Sequence, residues 1–162
     1  MTQELQDRAA ALLELCRTKG LKIATAESCT GGLVAALLTS VAGSSDVLDC
    51  GFVTYSNDAK QKMLGVQAKI LAEFGAVSRE CAIAMAAGAL ANSKGDLAVA
   101  VTGIAGPGGG TAAKPVGLVH FSCARKGGTP IHRVEKFGDI GREAIRVASV
   151  AVALALLETQ AL

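Results

Sequence analysis

The sequence predicts an α/β fold in which helices cover a mixed sheet of about five strands. Three observations lead there. Short apolar segments at LKIATA, VLDCGFVTY and DLAVAVT are separated by stretches whose apolar residues recur at helical spacing. Two further apolar segments, VGLVHFSCA and IHRVEKF, follow one another with only the hairpin-like RKGGTP between them. Finally, 51% of the 162 residues are hydrophobic and 19% charged, enough material for one packed core. Intervening helices imply parallel neighbours among the first strands, and the hairpin implies an antiparallel pair. The length fits a single domain over residues 1–162.

Each element has its own signal. Leu5, Ala9, Leu12, Leu13 and Cys16 line one face of a first helix, and Gly20 stands where a left-handed cap ends it. After the strand at LKIATA, the segment Glu27-Ser28-Cys29-Thr30-Gly31-Gly32 reads as a tight loop. It leads into a helix striped by Leu33, Val34, Leu37, Leu38 and Val41. Gly43-Ser44-Ser45 turns the chain into VLDCGFVTY, and SNDAKQKMLG reads as a short helix entered from Asn57 or Asp58 and stopped at Gly65. Residues 67–74 and 79–93 are helical by pattern, with Ser78 as the cap of the second. DLAVAVT is apolar almost throughout, the mark of a strand buried on both faces. The run GIAGPGGGTAAKP holds too much glycine and proline for helix or strand and must be a loop. A helix from about Arg142 to Leu157 closes the chain.

Composition narrows the functional classes. A net charge of +2, with one Tyr, four Phe and no Trp, argues against a nucleic-acid binder, which wants a basic face and stacking platforms. The five cysteines (Cys16, Cys29, Cys50, Cys81, Cys123) form no C-x-x-C pair and read as reduced thiols. The acidic start MTQELQDRAA is unlike an export signal, and no apolar run reaches the length of a membrane span. The expectation is a soluble cytoplasmic chain with no membrane partner. His120 and His132 lie on different strands without metal-ligand spacing, so no metal is expected, and His120 reads as a hydrogen-bonded structural residue.

Chemistry concentrates at Ser28. It lies between a strand and a glycine-softened helix start, where unpaired N–H groups and the positive helix end gather and would stabilise an oxyanion. Gly31 and Gly32 allow close approach to the backbone, and N–H groups near Gly31, Gly32 or Gly103 are the expected oxyanion donors. Capping by Ser28 or Thr30 is the plainer alternative for this segment alone. Cys29 is a rival nucleophile, but it would need a histidine partner. A hydroxyl without histidine needs another base, and a lysine whose pKa is lowered by burial serves. Lys60 follows Tyr55 by five residues across a strand-to-helix junction, which sends both toward the crevice beyond the strand ends, where open α/β sheets bind ligands; a solvated Lys60 is the alternative. The loop from Thr102 and Gly103 to Thr111 offers bare N–H groups, yet it matches neither G-x-G-x-x-G nor a Walker A loop. Arg142, at the start of the last helix, sits where the dipole disfavours a cation unless an anion binds. Arg146, one turn on, reads as surface.

Taken together, AESCTGG, GFVTYSNDAKQKMLGV, GAVS and VTGIAGPGGGTAAKPVG resemble the C-terminal domain of the competence-damage-inducible CinA proteins, the nicotinamide mononucleotide deamidases. The likeness extends over essentially the whole chain. It implies a three-layer α/β/α domain with a five-stranded mixed sheet, and hydrolysis of nicotinamide mononucleotide to nicotinic acid mononucleotide and ammonia without a cofactor. It implies further that Ser28 is the nucleophile, Lys60 its base and Tyr55 a residue that helps order them. Ser45 and Thr102 match positions that contact or orient substrate, and Arg142 matches the phosphate-side cation. The family's Gly-Asp-Arg is here interrupted, with Ile140 and Gly141 between Gly138-Asp139 and Arg142. Larger members carry a further N-terminal domain, and a homo-oligomer is expected. A non-catalytic nucleotide-binding module is the competing expectation.

Overall fold

The computed structural model describes residues 1–162. Its elements run α1 (Gln3–Lys19), β1 (Ile23–Glu27), α2 (Leu33–Thr39), one helical turn at Ser44–Asp46, β2 (Leu48–Val53), α3 (Asn57–Leu64), α4 (Ala68–Phe74), α5 (Arg79–Ala91), β3 (Leu97–Gly103), β4 (Leu118–Arg125), β5 (Ile131–Lys136) and α6 (Arg142–Ala161). The strand order is β2-β1-β3-β4-β5. β1 pairs in parallel with β2 and β3, while β4 joins antiparallel to β3 and to β5. The mixed five-stranded sheet between two helical layers is therefore as expected.

Among the element ends that differ from the sequence reading, two have a clear physical cause. The cap of α3 is Ser56, whose hydroxyl accepts the N–H of Ala59, rather than Asn57 or Asp58. Helix α6 continues to Ala161, because its apolar positions keep meeting the sheet for a further turn: Leu156, Leu157 and Ala161 are all buried.

Strand alternation sorts side chains onto two unequal faces. Ile23 of β1, Leu97, Val99 and Val101 of β3, and Val119, Phe121 and Cys123 of β4 meet α1, α2 and α6 in the larger core. The opposite face presents Ala24, Ala26, Ala98, Ala100 and Ala124 to α3 and α5. Methyl groups keep that second layer close to the sheet, and α5 in turn lies close to α3. A Cβ built on Gly88 of α5 would fall 2.0 Å from the carbonyl oxygen of Leu64, the last residue of α3. Gly88→Ala is thus expected to push α3 outward at a cost of roughly 1–3 kcal/mol. Thermal unfolding should show a melting temperature lower by about 5 °C; an unchanged transition would count against so tight a contact.

Candidate active site

Alternation also decides where the end of β1 sends its side chains. Ser28 follows Ala24 and Ala26 toward the α3 layer, while Glu27 points with Ile23 toward α2. Lys60 sits on α3 one turn after its cap, and only 2% of it is exposed. Its Nζ lies 3.0 Å from Ser28 Oγ and donates to the carbonyl of Thr54 at 2.8 Å. None of the chain's ion pairs includes Lys60. Burial without a counter-ion lowers its pKa from the ordinary lysine value, favouring the neutral amine. With one N–H spent on Thr54, such an amine has its lone pair free to face the serine hydroxyl.

Cys29 beside it is no competitor. Its thiol is 5% exposed, and burial pushes its pKa up to about 11, so the thiolate needed for attack is scarce at neutral pH.

The turn after Ser28 is built differently from expectation. Gly31 and Gly32 have φ of 60° and 99°, which a side chain would strain, so glycine is needed there. Their N–H groups, however, are not open donors. Gly31 N–H bonds to the carbonyl of Ser28 at 3.0 Å. Gly32 N–H goes to Glu27 Oε2 at 3.0 Å, and the same carboxylate accepts from Val34 (3.0 Å) and Ala35 (2.9 Å). Glu27, fully buried, thus takes up the orphan donors at the start of α2. The reading of Gly31 and Gly32 as oxyanion donors is corrected: the buried carboxylate has already claimed that end of the helix.

Gly103 fits an oxyanion donor better. Ile104 N–H bonds to Leu118 O at 2.9 Å across the antiparallel ladder, so the alternating pattern turns the N–H of Gly103 away from β4 and toward the end of β1. A Cβ at Gly103 would meet Val119 Cγ2 at 2.7 Å, so the approach of the two strands requires glycine there.

Ser28, Cys29, Lys60, Thr102, Gly103 and the loop to Gly109 line one cleft of about 270 Å³, with Tyr55, Asn57 and Arg142 at its rim. Arg142 donates to the carbonyl of Gly106 at 2.8 Å and to the Tyr55 hydroxyl at 2.7 Å. Tyr55, 59% exposed, therefore belongs to the mouth with Arg142 and does not hydrogen-bond to Ser28 or Lys60. Thr102 is buried on the strand adjacent to Ser28, and its hydroxyl donates to Ala76 O at 2.8 Å, fixing that wall of the cleft.

Ser45 is not brought to the cleft. It precedes β2, whereas Ser28 follows the adjacent, parallel β1, so the two lie at opposite ends of the strands, separated by the length of a six-residue strand, about 20 Å. Within one chain Ser45 cannot touch a substrate held at Ser28. His120 lies outside as well, with its Nδ1 3.1 Å from His132 Nε2. Burial lowers the pKa of both imidazoles.

Two residues of the site escaped the sequence reading. Glu27 left a trace, an acid one residue before the serine and just ahead of a helix. Arg146, read as surface, left none. It is half-buried, and its guanidinium donates to the carbonyls of Cys29 at 3.1 Å and Thr30 at 3.0 Å.

Known proteins are similar to this chain over nearly its whole length. The profile of the CinA C-terminal domain matches residues 5–161. A CinA-like protein of Mycolicibacterium gilvum is 54% identical over 153 residues, which cover 94% of this chain and 35% of that protein. The chain thus spans about a third of that relative's length. Nicotinamide-nucleotide amidohydrolase PncC of Escherichia coli is 46% identical over 158 residues, 97% of this chain and 94% of that one. Among solved structures, competence/damage inducible protein CihA from Agrobacterium tumefaciens superposes with a TM-score of 0.97 at 52% identity, covering 99% of this chain and 97% of the other. The chain belongs to the CinA C-terminal domain family.

Proposed function

We propose that this chain is a nicotinamide mononucleotide amidohydrolase that works through an acyl-enzyme on Ser28. The observation that carries the reading is the contact between Ser28 Oγ and the buried, unpaired Lys60 amine. The full-length similarity to an amidohydrolase of nicotinamide nucleotides supplies the substrate class.

In the proposed sequence, neutral Lys60 takes the hydroxyl proton as Ser28 Oγ bonds to the carboxamide carbon. The carbonyl π pair moves onto oxygen, facing the N–H of Gly103. Collapse of this adduct breaks the C–N bond, and the lysine-held proton passes to the departing nitrogen, which leaves as ammonia. A water molecule then gives its proton to Lys60 and its oxygen to the acyl carbon. The Ser28 ester bond breaks, the proton returns to Ser28, and nicotinic acid mononucleotide is free. Each step conserves charge and needs no redox partner. The five free cysteines suit a reducing cytoplasm as the place of the reaction.

The direct test is ammonia release from nicotinamide mononucleotide, nicotinamide riboside and nicotinamide side by side. Turnover of the first overturns the binding-module alternative, while binding by calorimetry without ammonia would overturn the amidohydrolase. Arg142, exposed at the mouth, is the cation placed for the phosphate. Arg142→Ala is expected to raise KM for the mononucleotide about 10- to 100-fold, the worth of one charge-assisted contact. KM for the riboside should barely move; an equal rise for both would take the phosphate away from Arg142.

A further inference from the structure

We propose that Arg146 is a positioning residue for the nucleophile, acting from α6 on the backbone of the turn that carries Ser28. This rests on the serine-nucleophile reading above. Arg142 and Arg146 are four residues apart on one helix and so stand one above the other on the same face. The first reaches the mouth of the cleft and the second reaches the floor.

The turn from Ser28 to Gly32 has two residues of positive φ and belongs to neither strand nor helix, so only a few backbone bonds hold it, from Ser28, Gly31 and Leu33 to the carbonyls of Val101, Ser28 and Thr30. Two side chains add to them. Glu27 grips the N–H groups at its far end, and the Arg146 fork grips the carbonyls of Cys29 and Thr30. The guanidinium lies against Gly31, where an added Cβ would be 3.4 Å from Nη2. With these bonds made, the N–H groups of Cys29 and Thr30 donate to no acceptor in the chain. The carbonyl of Cys29 and the N–H of Thr30 belong to one peptide unit. A cation drawing on that carbonyl polarises the N–H at its other end, next to the serine. Arg146 thereby holds the backbone that sets Ser28 Oγ against Lys60, and its charge polarises the Thr30 N–H of the same turn.

The test compares wild type, Arg146→Met and Arg146→Lys by two readouts. One is kcat and KM on nicotinamide mononucleotide and on the riboside. The other is the rate at which an arylsulfonyl fluoride modifies Ser28, followed by mass spectrometry, which needs an activated hydroxyl but no amide turnover. Near-ultraviolet circular dichroism verifies the fold, and Arg146→Lys decides should Arg146→Met not fold. Displacement of the turn by about 1 Å predicts kcat and labelling rates lower by about 10- to 100-fold in both variants. The loss should be the same with and without the phosphate, and KM should stay within about twofold, as for an interaction felt in the transition state. Lysine should not rescue, since one ammonium cannot serve two carbonyls as the planar fork does. Unchanged labelling, full rescue by lysine, a loss confined to KM for the mononucleotide, or a wild-type Ser28 that does not react would each overturn the proposal. Wild-type labelling without ammonia release would instead defeat the deamidase reading and leave this one standing.

Discussion

Ser28→Ala is expected to abolish ammonia release, with kcat down by at least about 10³-fold and the fold retained. The reason is local. Ser28 Oγ is the hydroxyl in contact with the Lys60 amine, and the neighbouring thiol of Cys29 has its pKa raised to about 11, so no substitute nucleophile stands in reach. Replacing the hydroxyl by hydrogen leaves the backbone bonds of the turn, Ser28 N–H to Val101 O and Gly31 N–H to Ser28 O, untouched. Thermal unfolding should therefore match wild type within about 0.5 kcal/mol. Calorimetry with nicotinamide mononucleotide should still register binding. Residual turnover above about a tenth of wild type would remove Ser28 from the nucleophile's role.

Lys60→Met should separate activity from stability. Its loss of turnover is expected to be about 10²- to 10⁴-fold, the worth of a positioned general base. The same change should stabilise the fold at neutral pH, because it puts an apolar chain of similar length where an amine is buried without a counter-ion. The sign follows from linkage. The folded-state pKa of Lys60 lies below its unfolded value of about 10.4, so between the two the unfolded chain binds more protons. Wild-type stability therefore gains a contribution as pH rises through that window, and it carries the full cost of the buried charge below the lowered pKa. Lys60→Met should remove this dependence, and the stability difference between the two proteins should be greatest on the acidic side. Wild-type kcat/KM should climb with pH through the lowered pKa as the amine loses its proton. A flat profile, or a variant less stable than wild type at every pH, would mean that Lys60 is held as a charged structural residue.

The pair at the centre of these predictions was legible in the sequence because its signals are local. A serine between a strand and a glycine pair, and a lysine one turn into a helix after another strand, specify position in an open parallel sheet almost by themselves. The large loop announced itself by glycine and proline, and the helix cap at Ser78 by residue type. What stayed hidden depends on distant backbone atoms. Arg146 meets carbonyls 116 and 117 residues away, and carbonyls are the same at every position, so no residue pattern marks them. Gly31 and Gly32 invite the reading of an approachable backbone with free donors, and neither their positive φ nor the competition from Glu27 is visible until the strand face is assigned. Ser45 is matched by likeness alone, and the short turn around it does not itself say that it stands at the opposite strand ends from Ser28.

The alanine-lined side of the sheet has a consequence for how the reaction rate can be adjusted. The buried strand residues contribute only methyl groups to that layer and so have no rotamers to exchange beneath Leu64, Val66 and Met85, which pack there from the side of the helix bearing Lys60. Thermal agitation or conservative substitution there has little slack to redistribute before the backbone itself must shift. On the proposed mechanism, tuning of turnover then falls to the solvent-facing rim, where Tyr55, Asn57 and much of the glycine loop are exposed.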